Sequence, residues 1–269
     1  MLKSYKKDSL LALWLLFAMA SGFFYLFLSL VCIIFALFFK VLKMNQITTV
    51  VKNLLAINVL MFLATIVAEK YGIRLADYLG LHFFLADDFY PYQLVTYMFM
   101  HGGFTHLFFN MFSLYMFGGL IERVMGSKRF LIYYFVTGLG AAFVQELVQF
   151  GYYEIYLSSY DYVRTALGVI PMADFLNMWN TVGASGAVYG LLLAFAMMFP
   201  NERMFVIPIP FPIKAKYYVM IFIVIEFLLG VSNNTSDNVA HFAHLGGALF
   251  GFLMILWWRK TGKISGPYV

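Results

Sequence analysis

Long runs of apolar residues dominate this sequence and limit it to structures that a lipid bilayer can hold. Several runs approach the roughly 20 residues that an α-helix needs to cross a bilayer. Charged residues make up 12% of the 269 residues, about half of the roughly 25% found in soluble domains. The sequence therefore predicts an all-α polytopic membrane protein. The apolar runs lie at 9–39, 53–68, 104–121, 130–150, 184–199, 217–231 and 240–258.

The basic residues indicate how the chain is oriented, because Lys and Arg concentrate in the cytoplasmic loops of membrane proteins. If 53–68 runs from inside to outside, twelve Lys and Arg fall in inside loops and three in outside loops. This bias predicts six core helices with both ends of the core in the cytoplasm. The net charge of +5 is explained by these topology signals, so we expect no nucleic-acid partner. Nothing resembles an organellar presequence, which favours a bacterial plasma membrane.

Hydropathy divides the chain into three parts: a hydrophobic extension at 1–43, a core at 44–262 and a tail at 263–269. The run at 9–39 is long for one span and short for two, so a tilted span, a re-entrant hairpin and a core that starts at Met44 are all open. The run at 184–199 is shorter than a full span. It is expected to begin part-way down the membrane, with its first turn lining a protein cavity.

Polar residues in membrane spans are costly and usually functional, and the first cluster contains His101, His106 and Asn110. His106 and Asn110 are four residues apart, so they share one helix face. Both side chains can donate hydrogen bonds. On their own, these two residues fit a polar clamp between helices as well as a functional site.

The second cluster places Ser185 where a glycine-rich segment, Gly183-Ala184-Ser185-Gly186, becomes a helix. The first N–H groups of a helix have no partner within it, and they favour negative charge. Such a position suits an oxyanion formed by attack on a carbonyl. Gly186 and Gly190 also form a G-x-x-x-G pattern, and close helix packing is the alternative explanation.

The third cluster contains His241 and His244, followed by Gly247 and Gly251. The two glycines predict a second close-packing face. A metal site or a proton-relay pair is an alternative for the two histidines. However, the chain has no H-E-x-x-H motif and no carboxylate next to either histidine in the sequence, so no metal is expected.

The predicted topology brings the three clusters to one depth of the membrane. Ser185 begins the fourth core helix, His244 lies in the first turns of the sixth, and His106 and Asn110 lie in the outer half of the second. A serine needs a base to become a nucleophile, and histidine is the usual one. The meeting requires the helices to pack face to face, which both G-x-x-x-G faces permit.

Together these motifs resemble those of the rhomboid family of intramembrane serine proteases, over about 44–260. Any one motif would be weak, whereas three in the right order on the right helices are specific. The matching residues follow the patterns H-x-x-x-x-H-x-x-x-N, G-x-S-G and A-H-x-x-G-x-x-x-G: His101, His106 and Asn110; Gly183, Ser185 and Gly186; Ala243, His244, Gly247 and Gly251.

The resemblance implies a six-helix rhomboid core that cleaves other membrane proteins, single-span or multi-span, with no cofactor and no metal. It implies Ser185 as the nucleophile and His244 as the general base, a dyad without an aspartate. The oxyanion hole would combine the Ser185 N–H with the side chains of His106 and Asn110. Tyr189, one turn beyond Ser185, would stack on the catalytic imidazole. His101 and the glycines at 183, 186 and 247 would support the site.

Two other functions remain open. A catalytically silent rhomboid-like protein would bind transmembrane helices without cutting them. A transporter would use buried histidines with Glu146 and Glu226 as a proton relay, although we find no internal repeat of the kind that transporters show. We expect both glutamates to pack against polar neighbours or to lie near an interface. The polar segment 232–238 is a candidate cap over the site.

Overall fold

A computed structural model describes residues 47–165, 168–204, 211–232 and 239–264. The predicted extension at 1–43, nearly all of the candidate cap and most of the tail lie outside the described residues. Numbered in chain order, the α-helices are α1 (Thr49–Lys70), α2 (Leu75–Leu79), α3 (Gln93–Thr96), α4 (Phe104–Ser113), α5 (Gly119–Met125), α6 (Ser127–Tyr152), α7 (Met172–Asn177), α8 (Ser185–Met198), α9 (Ala215–Ser232) and α10 (His241–Lys260).

Wider and tighter helical turns extend several of these helices. A π-helical turn at Leu114–Gly118 joins α4 to α5, and another at Tyr153–Leu157 lengthens α6. A 3₁₀ turn at Tyr97–Phe99 follows α3. Phe104–Met125 and Ser127–Leu157 therefore each form one continuous helical rod.

Short antiparallel strand pairs lie in the connections between the helices. The strands are β1 (Leu81–His82), β2 (Tyr162–Thr165), β3 (Gly168–Pro171), β4 (Asn180–Thr181), β5 (Arg203–Met204) and β6 (Ile213–Lys214). β1 pairs with β4, β2 with β3, and β5 with β6. The first pair joins the segment between α2 and α3 to the segment between α7 and α8, so it connects two loops, one of which leads into α8.

The helices that can cross a membrane lie where the apolar runs predict them. Within the described residues, five helices are long and apolar enough: α1, Phe104–Met125, Ser127–Leu157, α9 and α10. As predicted, α8 is shorter, with 14 residues. The predicted all-α polytopic fold with six core helices is confirmed, and the protein is a multi-pass membrane protein.

The centre of the bundle is the packing of α10 against α6 and α8. Tyr133 of α6 is fully buried, and its hydroxyl donates to the Gly190 carbonyl of α8 at 2.8 Å. A methyl group added to Gly247 of α10 would overlap the Gly186 carbonyl of α8. The two backbones thus touch where the G-x-x-x-G patterns predict close packing, and this contact places the first turns of α8 and α10 side by side.

The start of α1 is held by a buried carboxylate from α5. Glu122 accepts the backbone N–H groups of Val50 at 3.1 Å and Val51 at 3.0 Å. It also accepts the Ser127 hydroxyl at 2.6 Å. A negative charge at a helix N-terminus satisfies free N–H groups and complements the helix dipole. Glu122 therefore ties α1 to the junction of α5 and α6.

Of the core helices, α9 has few buried positions. Its buried residues are Ala215, Val219 and Glu226. Many of its other residues are exposed and apolar, as expected for a helix with most of its surface against lipid. Glu226 is thus the only buried ionisable side chain of this helix.

Candidate active site

Ser185 and His244 meet at the first turns of α8 and α10. Ser185 Oγ lies 2.8 Å from His244 Nε2, which is hydrogen-bonding distance. The serine is half-buried and the histidine is buried. The structure thus brings together the hydroxyl and the imidazole that the sequence singled out.

The loop before Ser185 depends on a glycine with an unusual backbone conformation. Gly183 has φ +131°, a region that other residues rarely adopt. A Cβ at this position would lie 2.7 Å from His106 Cε1 and 3.5 Å from Ser185 Oγ. The Gly183 N–H donates to the Tyr97 carbonyl at 2.9 Å. Gly183 therefore lets the His106 ring approach the loop that carries Ser185.

His106 and Asn110 lie on the same side of α4, next to this loop. The Gly102 N–H donates to His106 Nδ1 at 3.4 Å. Nδ1 is then the acceptor, so the ring proton of a neutral His106 is on Nε2. Nε2 would lie 2.8 Å from a Cβ on Gly183, so it faces the Ser185 loop. Asn110 is buried, and its Nδ2 donates to the His106 carbonyl at 3.0 Å.

Two aromatic contacts hold the histidine rings. Tyr189 is stacked on His244, with ring centroids 4.3 Å apart and an interplanar angle of 6°. His101 packs edge-on against His106, with centroids 5.1 Å apart. Burial, with a smaller effect of the neighbouring His106, lowers the pKa of His101 to about 3. His101 is therefore neutral near pH 7 and acts on His106 through packing.

Glu226 is a residue that the sequence analysis did not place in the site. Its Oε2 lies 2.9 Å from His244 Nδ1 and 2.7 Å from His241 Nδ1. The Tyr189 hydroxyl donates to its Oε1. We expected no carboxylate beside His244, and that expectation is wrong, because α9 carries Glu226 against it. The expectation that Glu226 packs against polar neighbours is confirmed. A lone glutamate in the apolar run 217–231 was the available signal.

The same three residues offer the ligand atoms that a metal ion could use. One ligand atom each from Glu226, His241 and His244 lies within 4.8 Å of the others. Metal binding would require both Nδ1 atoms to be deprotonated. In the structure both Nδ1 atoms contact one carboxylate oxygen at hydrogen-bonding distances. The donor set therefore fits two imidazole N–H groups on a carboxylate without a metal.

A large open cleft leads to Ser185. Its volume is ≈ 2470 Å³, whereas small-molecule sites typically occupy about 300–1,000 Å³. His106, Asn110, Tyr189 and His244 line it together with Ser185. Such a volume accommodates several residues of a polypeptide chain.

The sequence motifs predict a membrane-embedded helical bundle in which a serine and a histidine lie at the starts of adjoining helices. The structure has this arrangement. The family model described as Rhomboid domain matches residues 88–260, more than half of the chain. The chain therefore belongs to the rhomboid family.

Several relatives match part of the chain. YdcA of Bacillus subtilis (strain 168) is 30% identical over 165 residues, which is 61% of this chain and 65% of that protein. Rhomboid protease AarA of Providencia stuartii is 30% identical over 172 residues, 63% of this chain and 56% of the relative. RHOMBOID-like protein 6, mitochondrial, of Arabidopsis thaliana is 27% identical over 164 residues, which is 61% of this chain and 42% of that protein. The matches span less than two thirds of these relatives, some of which are named proteases.

Proposed function

We propose that the protein is an intramembrane serine endopeptidase that cuts transmembrane segments of other membrane proteins. The observation that carries the proposal is the 2.8 Å contact between Ser185 Oγ and His244 Nε2. The contact lies in a cleft large enough for a polypeptide, within a member of the rhomboid family. Neither a transporter nor a silent binding protein needs a serine paired with a histidine in this way.

The reaction follows from the two side chains. Ser185 Oγ attacks the scissile carbonyl carbon while His244 Nε2 takes the hydroxyl proton. The tetrahedral intermediate collapses as His244 gives that proton to the leaving amine, and an acyl-enzyme remains. Water then attacks the ester with His244 again as the base. Ser185 and His244 are restored, and no cofactor enters the cycle.

The charge on the intermediate needs hydrogen-bond donors. Ser185 is the first residue of α8, so its N–H has no partner within the helix. The His106 Nε2–H faces the Ser185 loop, and Asn110 Nδ2 has two hydrogens, one of which is used on the His106 carbonyl. We assign these three groups to the oxyanion hole, with His101, Gly183, Gly186 and Gly247 supporting the arrangement.

Replacing the Asn110 amide tests this assignment. Asn110→Ala is expected to lower kcat by roughly 10²–10³-fold, the usual effect of removing one oxyanion donor. Ser113→Ala, on the same helix and lining the same cleft, is the control and is expected to retain wild-type kcat. Equal kcat for Asn110→Ala and the wild type would remove Asn110 from the oxyanion hole.

The substrate we propose is a transmembrane helix with small or helix-weakening residues near the outer leaflet. A stable helix uses its carbonyls in its own hydrogen bonds, so the segment must unwind before attack. The distribution of Lys and Arg supports an orientation in which the site opens to the outer side. The membrane we propose for this core, residues 44–262, is a bacterial plasma membrane.

The proposal is tested with purified full-length protein in detergent and a single-span substrate. We expect the wild type to cleave the substrate within its apolar segment, with the cut bond mapped by mass spectrometry. A fluorophosphonate is expected to label Ser185 of the wild type and to leave Ser185→Ala unlabelled. A wild type that binds the substrate but neither cleaves it nor reacts with the probe would instead be a silent helix-binding protein.

A further inference from the structure

We propose that Glu226 is a positioning residue that extends the serine–histidine pair into a Ser185–His244–Glu226 chain, with His241 holding the same carboxylate. This inference rests on the proposed function, and it adds α9 to the helices α4, α8 and α10 that supply the catalytic arrangement. It starts from the carboxylate that the structure places behind His244, 2.9 Å from the ring nitrogen opposite the serine.

The contacts of Glu226 determine where the protons of the site lie. An ionised carboxylate only accepts hydrogen bonds, and its two oxygens have about four lone-pair sites. It can therefore accept the Tyr189 hydroxyl on Oε1 and both imidazole N–H groups on Oε2. In this arrangement the neutral His244 has its proton on Nδ1. Nε2 is then the acceptor that faces Ser185 Oγ at 2.8 Å.

The burial of Glu226 supports a specific task for this carboxylate. Glu226 is 7% exposed and sits on a helix whose other buried residues are Ala215 and Val219. An unpaired charge at such a place would cost several kcal/mol. Three donors compensate it, and two of them, Tyr189 and His244, already belong to the site. An apolar side chain could be buried at this position without any compensating donors, so packing alone does not explain a glutamate here.

Tyr189 and Glu226 restrain the His244 ring in different ways. The stacked Tyr189 ring fixes the plane of the imidazole. Glu226 fixes the rotation of the ring within that plane by accepting from Nδ1. His241 donates to the same Oε2 at 2.7 Å, so the carboxylate is held from a second direction.

The carboxylate also affects the chemical step. When Ser185 attacks, its O–H bond breaks, a bond forms between the proton and His244 Nε2, and the imidazole becomes a cation. The Nδ1 proton remains on His244, and Glu226 remains ionised throughout. A negative charge at this distance stabilises the cation, as the carboxylate does in other serine proteases. Glu226 thus acts on the reaction through His244, without touching the substrate.

The test compares carboxylate, amide and shortened side chains in the purified full-length protein. Glu226→Gln is expected to lower kcat by about 10²-fold or more with KM nearly unchanged, since orientation and charge of the base are lost while the cleft remains. The rate of Ser185 labelling by a fluorophosphonate should fall with kcat. Glu226→Asp is expected to recover part of the lost kcat, because it keeps a carboxylate on a side chain one methylene shorter.

Glu146→Gln is the matched control. Glu146 is also a buried glutamate of a core helix, and its carboxylate accepts the Phe84 N–H at 2.8 Å. It contacts neither His241 nor His244 among the described side-chain hydrogen bonds. Glu146→Gln is expected to keep the wild-type kcat. All rates are normalised to the concentration of folded protein in each preparation, which is measured by thermal unfolding.

Each outcome decides the question. A lower kcat in Glu226→Gln with recovery in Glu226→Asp supports the proposed link from Ser185 through His244 to Glu226. Wild-type kcat in Glu226→Gln, an effect on KM alone, or a loss of folded protein in both variants would show that the carboxylate is structural. None of these outcomes would alter the reactivity of Ser185 in the wild type, so the proposed function would stand. An unreactive Ser185 in the wild type would instead contradict the proposed function.

Discussion

Ser185→Ala is expected to lower kcat by roughly 10⁴–10⁶-fold, to a rate close to background. Alanine has no oxygen to form the acyl-enzyme, and no other hydroxyl lies at hydrogen-bonding distance from His244 Nε2 among the described contacts. The loss is measured with the purified variant and a single-span substrate, at enzyme concentrations high enough to detect slow cleavage. Cleavage at the wild-type rate would contradict the hydrolase mechanism.

Two further variants strengthen this prediction. Ser185→Ala/His244→Ala is expected to be no slower than Ser185→Ala, because residues that act as a unit are not additive. Ser158→Ala makes the same chemical change at an exposed hydroxyl that donates to the Glu154 carbonyl. It should cleave like the wild type. A double variant that is much slower than either single variant would mean that the two residues contribute independently.

Gly247→Ala is expected to destabilise the protein by at least about 3 kcal/mol, at the upper end of the usual cost of overpacking. The added methyl group meets the Gly186 carbonyl, which is backbone and cannot rotate away. α8 and α10 must separate, and Ser185 then moves away from His244. We expect a lower unfolding temperature in detergent together with slower fluorophosphonate labelling.

Gly151→Ala is the control for this substitution. A Cβ on Gly151, also in a membrane helix, would meet nothing within 4 Å. In this helix alanine should be neutral or stabilising, because Gly costs about 1 kcal/mol relative to Ala in helix interiors. If Gly247→Ala lowers the stability of the protein and Gly151→Ala does not, the loss is caused by the contact with the Gly186 carbonyl. A stable and fully active Gly247→Ala protein would contradict the packing argument.

The sequence predicts the positions of the core helices well, because long apolar runs have few alternatives in a bilayer. It also predicts that Ser185 and His244 meet, since both lie in the first turns of helices that enter the membrane from the same side, and glycines follow both. It does not predict the partner of His244. Glu226 is 18 positions away from His244 in the chain, on a helix that is apolar on nearly all sides. Hydropathy therefore does not indicate which way Glu226 faces.

The shortness of α8 has a consequence for what the proposed cleavage would do to a substrate. Its 14 residues span about 21 Å, whereas the hydrocarbon core of a bilayer is about 30 Å thick. If the far end of α8 reaches the opposite surface, Ser185 lies about 9 Å below the nearer one, a depth of about six helical residues. One product would then keep only that stub as its anchor and could leave the membrane. The other product would keep most of its span, so a single cut would act as a release step.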